Sequence, residues 1–137
     1  MPFDYLRTVH FPDTDAAGVV FFPAYLSMCH EAYEEALAAA GLDVRSFFSA
    51  SSGMVIPISR SEADYLRPLR VGDRLRIRVT PRRTDAHSFA LAFEMTRLGP
   101  PEKVAARVQT HHVCIDAESR GRIPLPDGLA SWVDAGT

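Results

Sequence analysis

Two carboxylates, Asp13 and Asp15, precede a turn former at Gly18, and an apolar-striped segment opens at Phe22. A carboxylate beside a helix start has a definite chemical use. The carboxylate can attack an acyl carbon or draw a proton from water, and unpaired backbone N–H groups at the helix end can receive the resulting oxyanion. The residues before Pro23 are Val19, Val20, Phe21 and Phe22, and none has a side chain able to cap those groups. The positive end of the helix is thus left to a ligand, to solvent or to Thr14. Turn aspartates are common, and on composition alone Asx turns or helix capping are the readier account of the pair.

The elements that must position these groups follow from periodicity. Phe3 to Phe11 alternates and reads as a strand ended by Pro12. Asp13 to Gly18 is a turn. Tyr25, Cys29, Ala32, Tyr33, Ala36, Leu37 and Ala40 then recur at three- and four-residue steps, which predicts an amphipathic helix over Pro23 to Ala40 stopped by Gly41. Such a helix is about 27 Å long and spans a small domain. Asp43 to Gly53 is a serine-rich connection with room for one helical turn. Strands are predicted over Met54 to Tyr65 with a break at Pro57, over Arg74 to Thr80, through Phe89, Leu91, Phe93 and Met95, and over Val104 to Asp116. The tail with Trp132 and Val133 reads as a docked helical turn. This order predicts an α+β fold, a largely antiparallel sheet of about five strands curled around one long helix, as one domain over 1–137.

The chain of 137 residues carries a formal net charge of −2 with 47% hydrophobic residues. That balance argues against a nucleic-acid binder and gives no membrane-surface signal. The N-terminus lacks a basic region followed by an apolar run, and no apolar segment approaches the roughly 20 residues of a membrane span. Cys29 and Cys114 stand in no Cys-x-x-Cys pattern and read as reduced thiols of a cytoplasmic protein. His111 and His112 would point to opposite faces of a strand, so no metal site is expected.

Phe11-Pro-Asp-Thr-Asp-Ala-Ala-Gly-Val-Val-Phe-Phe-Pro-Ala-Tyr followed by Cys29-His-Glu-Ala-Tyr-Glu-Glu resembles the hotdog-fold acyl-CoA thioesterases of the 4-hydroxybenzoyl-CoA thioesterase type. Within that group it is most similar to the 1,4-dihydroxy-2-naphthoyl-CoA hydrolases of phylloquinone and menaquinone synthesis. The likeness continues through Glu62-Ala-Asp-Tyr-Leu-Arg-Pro-Leu-Arg-Val-Gly-Asp, His87-Ser-Phe and Leu125-Pro-Asp-Gly-Leu-Ala-Ser-Trp. The resemblance implies a helix wrapped by a curved sheet, a homotetramer built as a dimer of dimers, and active sites between subunits. It implies no cofactor, since coenzyme A is part of the substrate.

The resemblance also implies roles. Asp15 is the family's carboxylate, acting as nucleophile or as general base. An aspartate of ordinary pKa, about 3.9, is a weak base at neutral pH, so attack through a mixed anhydride is at least as reasonable as activation of water. The backbone N–H of Phe22 receives the oxyanion, and Gly18 supplies the tight turn. The thiolate leaving group, whose conjugate acid has a pKa of about 8.5, needs little acid catalysis. Phe21, Tyr25 and Ile56 are candidates for the aromatic slot. His30 stands where 4-hydroxybenzoyl-CoA thioesterases place an aspartate against a phenolic hydroxyl. It either contacts a ring hydroxyl or pairs with Glu34 on the helix surface. Arg82, Arg83, His87 and Ser88 resemble the turn that grips the nucleotide phosphates, while the Arg74, Arg76 and Arg78 row reads as a solvated strand face. The alternatives are a 4-hydroxybenzoyl-CoA or broad short-chain acyl-CoA thioesterase, and a non-catalytic hotdog module binding acyl-CoA or acyl carrier protein. A dehydratase on this fold would need a histidine near the helix start, and none lies between Asp13 and Tyr25.

Overall fold

The structure is a computed structural model that describes residues 2–136. Strand β1 covers Phe3–Thr8. It ends three residues earlier than the alternation suggests, because Phe11–Asp13 closes into a 3-10 turn with the Asp13 N–H donating to the His10 carbonyl at 3.0 Å. Helix α1 covers Phe22–Ala39 and buries Tyr25, Met28, Cys29, Ala32, Tyr33, Ala36 and Leu37. Ala40, expected on that stripe, is exposed at the helix end. There Gly41 takes a φ of +89° and lets the Leu42 N–H return to the Leu37 carbonyl at 3.1 Å. The single helical turn expected after Asp43 is α2, Val44–Phe47, capped by the Asp43 side chain.

Five strands form one antiparallel sheet in the order β1-β4-β5-β6-β3, where β3 is Ile58–Tyr65, β4 Arg74–Asp85, β5 Ser88–Arg97 and β6 Lys103–Val113. Short β2, Met54–Val55, and β7, Ile115–Asp116, pair as a separate ribbon. The long last strand of the sequence reading is therefore broken at Cys114. The β3–β4 connection also departs from a neighbour-to-neighbour reading. The segment 66–73 crosses the end of the sheet, with Leu69 buried beneath the Val20 N–H, which donates to its carbonyl at 2.8 Å.

The alternation in β4 sorts its two faces. Leu75, Ile77 and Val79 are fully buried under α1, beside Phe89, Leu91 and Met95 of β5. On the other face the arginine row is paired rather than merely solvated: Arg74 with Thr8 at 2.9 Å, Arg76 with Glu102 at 3.1 Å and Arg78 with Asp4 at 2.8 Å. β4 also runs on through Pro81 to Asp85. Pro81 lies beyond Val79, the last β4 residue that pairs with β1 among the described residues, so no paired β1 carbonyl there calls for the N–H it lacks. Helix α3, Asp127–Ala135, docks by Leu129 and Val133 and ties to that end through Arg83 and Asp134.

Helix α1 traverses the sheet from end to end. Tyr25 meets Tyr65 at 4.9 Å between ring centroids at one end, and Tyr33 meets His112 at 5.1 Å toward the other.

Candidate active site

Asp15 sits in a narrow hairpin that folds back just before α1. Its N–H donates to the Val19 carbonyl and its carbonyl accepts from Gly18, both at 3.0 Å, while Thr14 and Val20 form an antiparallel bridge. Gly18 takes a φ of +81°, a conformation costly for any residue with a Cβ, which is why glycine stands at this turn. The Asp15 side chain is exposed. One oxygen accepts the Ala17 N–H at 2.8 Å in an Asx turn, and the other has no hydrogen-bond partner among the described residues. The hairpin continues into the helix, because the Phe21 N–H donates to the Asp13 carbonyl at 2.9 Å.

The helix start is bare. Phe21, the residue before α1, is extended and offers no side-chain cap, Pro23 has no N–H, and Ala24 donates to the Phe21 carbonyl at 2.8 Å. That leaves the Phe22 N–H without a partner among the described residues, at the positive end of an 18-residue helix. The Phe21 and Phe22 rings pack edge to face at 5.3 Å yet remain 49% and 62% exposed. Beside them lies an open cleft of about 210 Å³, walled by Phe22, Tyr25, Tyr65, Leu66 and Arg67.

Asp13 has a different part. Arg7 grips both its oxygens, at 2.7 and 3.1 Å, and reaches Glu31 of α1 through Nε at 2.8 Å. The Tyr5 hydroxyl adds a bond to the same Glu31 oxygen at 3.0 Å. The Arg7 guanidinium, helped by the His10 N–H, holds the Asp13 carboxyl below its ordinary pKa. The clamp thus fastens the hairpin to both β1 and α1, leaving Asp15 as the uncommitted carboxylate. Sequence reading missed Arg7, whose only local signal is its place in an alternating strand.

Of the two readings of His30, the structure shows the pairing with Glu34 on the helix surface. Its Nδ1 pairs with the Glu34 carboxylate at 2.7 Å, and its ring also walls a small cavity of about 90 Å³ between α1 and the sheet. Ile56 lies elsewhere, in an open cleft of about 390 Å³ with Phe47, Phe48 and Arg120. Phe21, Tyr25 and Ile56 therefore do not line one cavity within a single chain.

The basic turn is likewise remote. Arg82, Arg83, His87 and Ser88 lie at the β4–β5 turn, whereas β1 brings the Asp15 hairpin to the opposite end of β4, where Thr8 pairs with Arg74. From Arg74 to Arg83 is about 30 Å of extended strand. At that turn Arg83 is engaged by Asp134 at 2.8 and 3.0 Å, and the His87 N–H donates to Asp85 at 2.7 Å. Arg82 is exposed and has no ion-pair partner among the described residues. His111 and His112 do face opposite ways, the second buried and the first partly exposed. No cluster of three or more His, Cys, Asp or Glu side chains that could hold a metal occurs among the described residues. Cys29 and Cys114 are free, buried thiols, and burial raises the pKa of each.

Relatives with this architecture are known. A chain from Thermosynechococcus vestitus named 1,4-dihydroxy-2-naphthoyl-CoA hydrolase is 48% identical over 95% of this chain and 87% of its own length. A Nostoc punctiforme chain of the same name is 45% identical over 98% and 88%. Among solved structures, a 1,4-dihydroxy-2-naphthoyl-CoA thioesterase from Synechocystis superposes with a TM-score of 0.91 at 36% identity, covering 98% of this chain and 96% of its own. The helix-in-sheet arrangement is the hotdog fold of these thioesterases. With the description "Thioesterase-like superfamily" matched across residues 9–133, the chain belongs to that family.

Proposed function

We propose that this chain hydrolyses an aromatic acyl-CoA thioester, with 1,4-dihydroxy-2-naphthoyl-CoA as the foremost substrate, in phylloquinone or menaquinone synthesis. The observation that carries this reading is the unpartnered Phe22 N–H at an uncapped helix start, on the same hairpin that holds an uncommitted Asp15 carboxylate. The thioester carbonyl oxygen accepts from that N–H, which strengthens as negative charge develops. Asp15 then adds to the carbonyl carbon, the C–S bond breaks with release of the CoA thiolate, and water cleaves the mixed anhydride to regenerate the carboxylate. In the alternative route Asp15 takes a proton from water as the hydroxide equivalent adds to the same carbon, and the tetrahedral intermediate then breaks its C–S bond, the thiolate leaving with the proton that Asp15 returns. No metal or further cofactor enters either route.

The separation of the basic turn from Asp15 supports a site shared by two subunits, with the nucleotide held by Arg82, Arg83, His87 and Ser88 of one chain and the thioester by Asp15 of another. A homotetramer of this kind is consistent with the exposed Phe21 and Phe22 rings and with the free outer edge of β3. No helix among the described residues is long and apolar enough to cross a membrane, and a cytoplasmic enzyme fits that.

A CoA-release assay over dihydroxynaphthoyl, hydroxybenzoyl, benzoyl, hexanoyl and palmitoyl thioesters tests the substrate class. Preference for the naphthoyl thioester is expected. A preference for hexanoyl-CoA would favour a broad short-chain thioesterase, and no turnover at all would favour a binding module. Arg82→Ala should raise KM about five- to ten-fold and flatten its salt dependence, since Arg82 alone of the pair is free to meet phosphate. Arg83→Ala should raise KM less, because Asp134 already engages its guanidinium; equal effects would show that the ion pair opens on binding.

A further inference from the structure

The open cleft beside the bare helix start carries a polar group that the chemistry above does not use. Its polar side chains are Tyr25, Tyr65 and Arg67, and the rest of its wall is apolar. Tyr25 is only 4% exposed, and its hydroxyl is held by the Leu69 carbonyl. Arg67 turns one N–H to the Val104 carbonyl at 2.6 Å and has only donors to offer. Tyr65 differs from both. It is 46% exposed, and its O–H donates to the Phe22 carbonyl at 3.4 Å. With that proton committed, what Tyr65 Oη has left to offer is its lone pairs.

We infer that Tyr65 is a specificity-determining residue, its Oη accepting a hydrogen bond from a hydroxyl ortho to the thioester on the aromatic acyl group. This rests on the acyl-CoA reading above and gives the site a substrate class, the ortho-hydroxyaryl thioesters. Phe22 then serves twice. Its N–H meets the thioester oxygen, and its carbonyl fixes the tyrosine that reads the neighbouring substituent.

The reach agrees. The backbone N and O of one residue are at most about 4 Å apart, so Tyr65 Oη stands within about 7.5 Å of the Phe22 nitrogen. A thioester oxygen bonded to that N–H lies about 3 Å from the nitrogen, and an ortho hydroxyl lies about 2.6 Å from the thioester oxygen. One further O–H···O bond of about 2.8 Å spans the rest. In a 1,4-dihydroxy-2-naphthoyl group the 1-hydroxyl is the ortho one, and the 4-hydroxyl points to the opposite side of the ring. The substituent must also be a donor. A ring hydrogen makes no such bond, and a methoxy or carboxylate group would set lone pair against lone pair.

The acceptor is held in place. The Tyr65 ring meets Tyr25 edge to face at 4.9 Å, and the next two N–H groups, of Leu66 and Arg67, both donate to the Ala105 carbonyl at 2.8 and 3.0 Å. A fixed acceptor discriminates better than a mobile one.

The test compares 1-hydroxy-2-naphthoyl-CoA with 2-naphthoyl-CoA, which lacks only the ortho hydroxyl, in the wild type and in Tyr65→Phe. The intrinsic reactivities of the two thioesters cancel when their kcat/KM ratio is compared between proteins. Tyr65→Phe should lower that ratio about five- to ten-fold, the loss falling on the hydroxylated substrate. The ratio of 4-hydroxy-2-naphthoyl-CoA to the same reference should keep its wild-type value. Tm should change little, because the variant keeps the ring and loses a long, exposed bond. An unchanged ortho ratio would overturn the inference. So would an equal loss on all three thioesters, which would make Tyr65 a brace for the helix start, or a loss confined to the 4-hydroxy substrate. Each of these leaves the thioesterase reading intact. If none of the thioesters is hydrolysed, that reading fails, and calorimetric binding of 1-hydroxy-2-naphthoic and 2-naphthoic acids decides the contact alone. Tighter binding of the hydroxy acid that Tyr65→Phe abolishes sustains it, and equal binding refutes it.

Discussion

Asp15→Asn is expected to lower kcat by at least about 100-fold while KM changes no more than a few-fold. The substitution keeps the size of the side chain and its ability to accept the Ala17 N–H, so the Asx turn and the hairpin survive. What it removes is the negative charge needed to attack the acyl carbon or to take a proton, a demand that arises only on the way to the transition state. The loss should therefore appear in kcat rather than in binding. The Phe22 N–H, the proposed oxyanion donor, belongs to the backbone and is untouched, so slow residual turnover is expected to persist. Single-turnover measurements with excess enzyme separate chemistry from CoA release, and near-normal turnover of this variant would remove Asp15 from the mechanism.

Arg7→Met should have the second largest effect, and mainly on stability. Arg7 and Asp13 side chains are each only 15% exposed, and the guanidinium makes bonds to two carboxylates at once. Charge-assisted bonds of this kind are worth about 1.5–3 kcal/mol apiece, and their loss leaves Asp13 half-buried without its cation, so a cost of about 2–4 kcal/mol is expected. Arg7→Lys should recover only part of it, because a point charge cannot hold Asp13 by two bonds and Glu31 by a third. The pH dependence gives an independent check. The Asp13 carboxyl is depressed in the folded chain, so its contribution is complete above the unfolded value of about 3.8 and fades as pH falls through the folded one. The difference in Tm between wild type and Arg7→Met should therefore narrow below about pH 4. A difference that stays constant to lower pH would mean that Asp13 is not the partner that matters.

Local pattern carried much of this architecture and failed where contacts are distant. The alternation of Leu75, Ile77 and Val79 marked a buried face because a strand presents every second residue to one side, and the three- and four-step recurrence from Tyr25 to Leu37 marked the helix for the same geometric reason. Strand order was not legible. Nothing between Tyr65 and Arg74 says that the chain crosses to the far side of the sheet, and adjacency in sequence favours adjacent strands. Asp15, Gly18 and Phe22 could be grouped from sequence because one short hairpin holds them. Arg7 could not, since Glu31 lies 24 positions away and only the folded chain brings them together. The separation of Ile56 from Tyr25, and the meeting of Tyr65 with the Phe22 carbonyl, depend on how α1 lies across the sheet, which no periodicity encodes.

The distance of about 30 Å along β4 between the two ends of the molecule turns a structural fact into a genetic one. If each site borrows its nucleotide grip from a neighbour, a subunit carrying Asp15→Asn and a subunit carrying Arg82→Ala are defective in complementary halves. Each is weak alone when substrate is scarce. Co-assembled, a mixed pair contains one site with both halves intact, so about a quarter of all sites should recover in a random mixture. Two lesions in one polypeptide, paired with an undamaged copy, would spoil both sites of that pair instead. The same two substitutions would thus complement in trans and fail in cis, a signature that a self-contained site in each chain cannot produce.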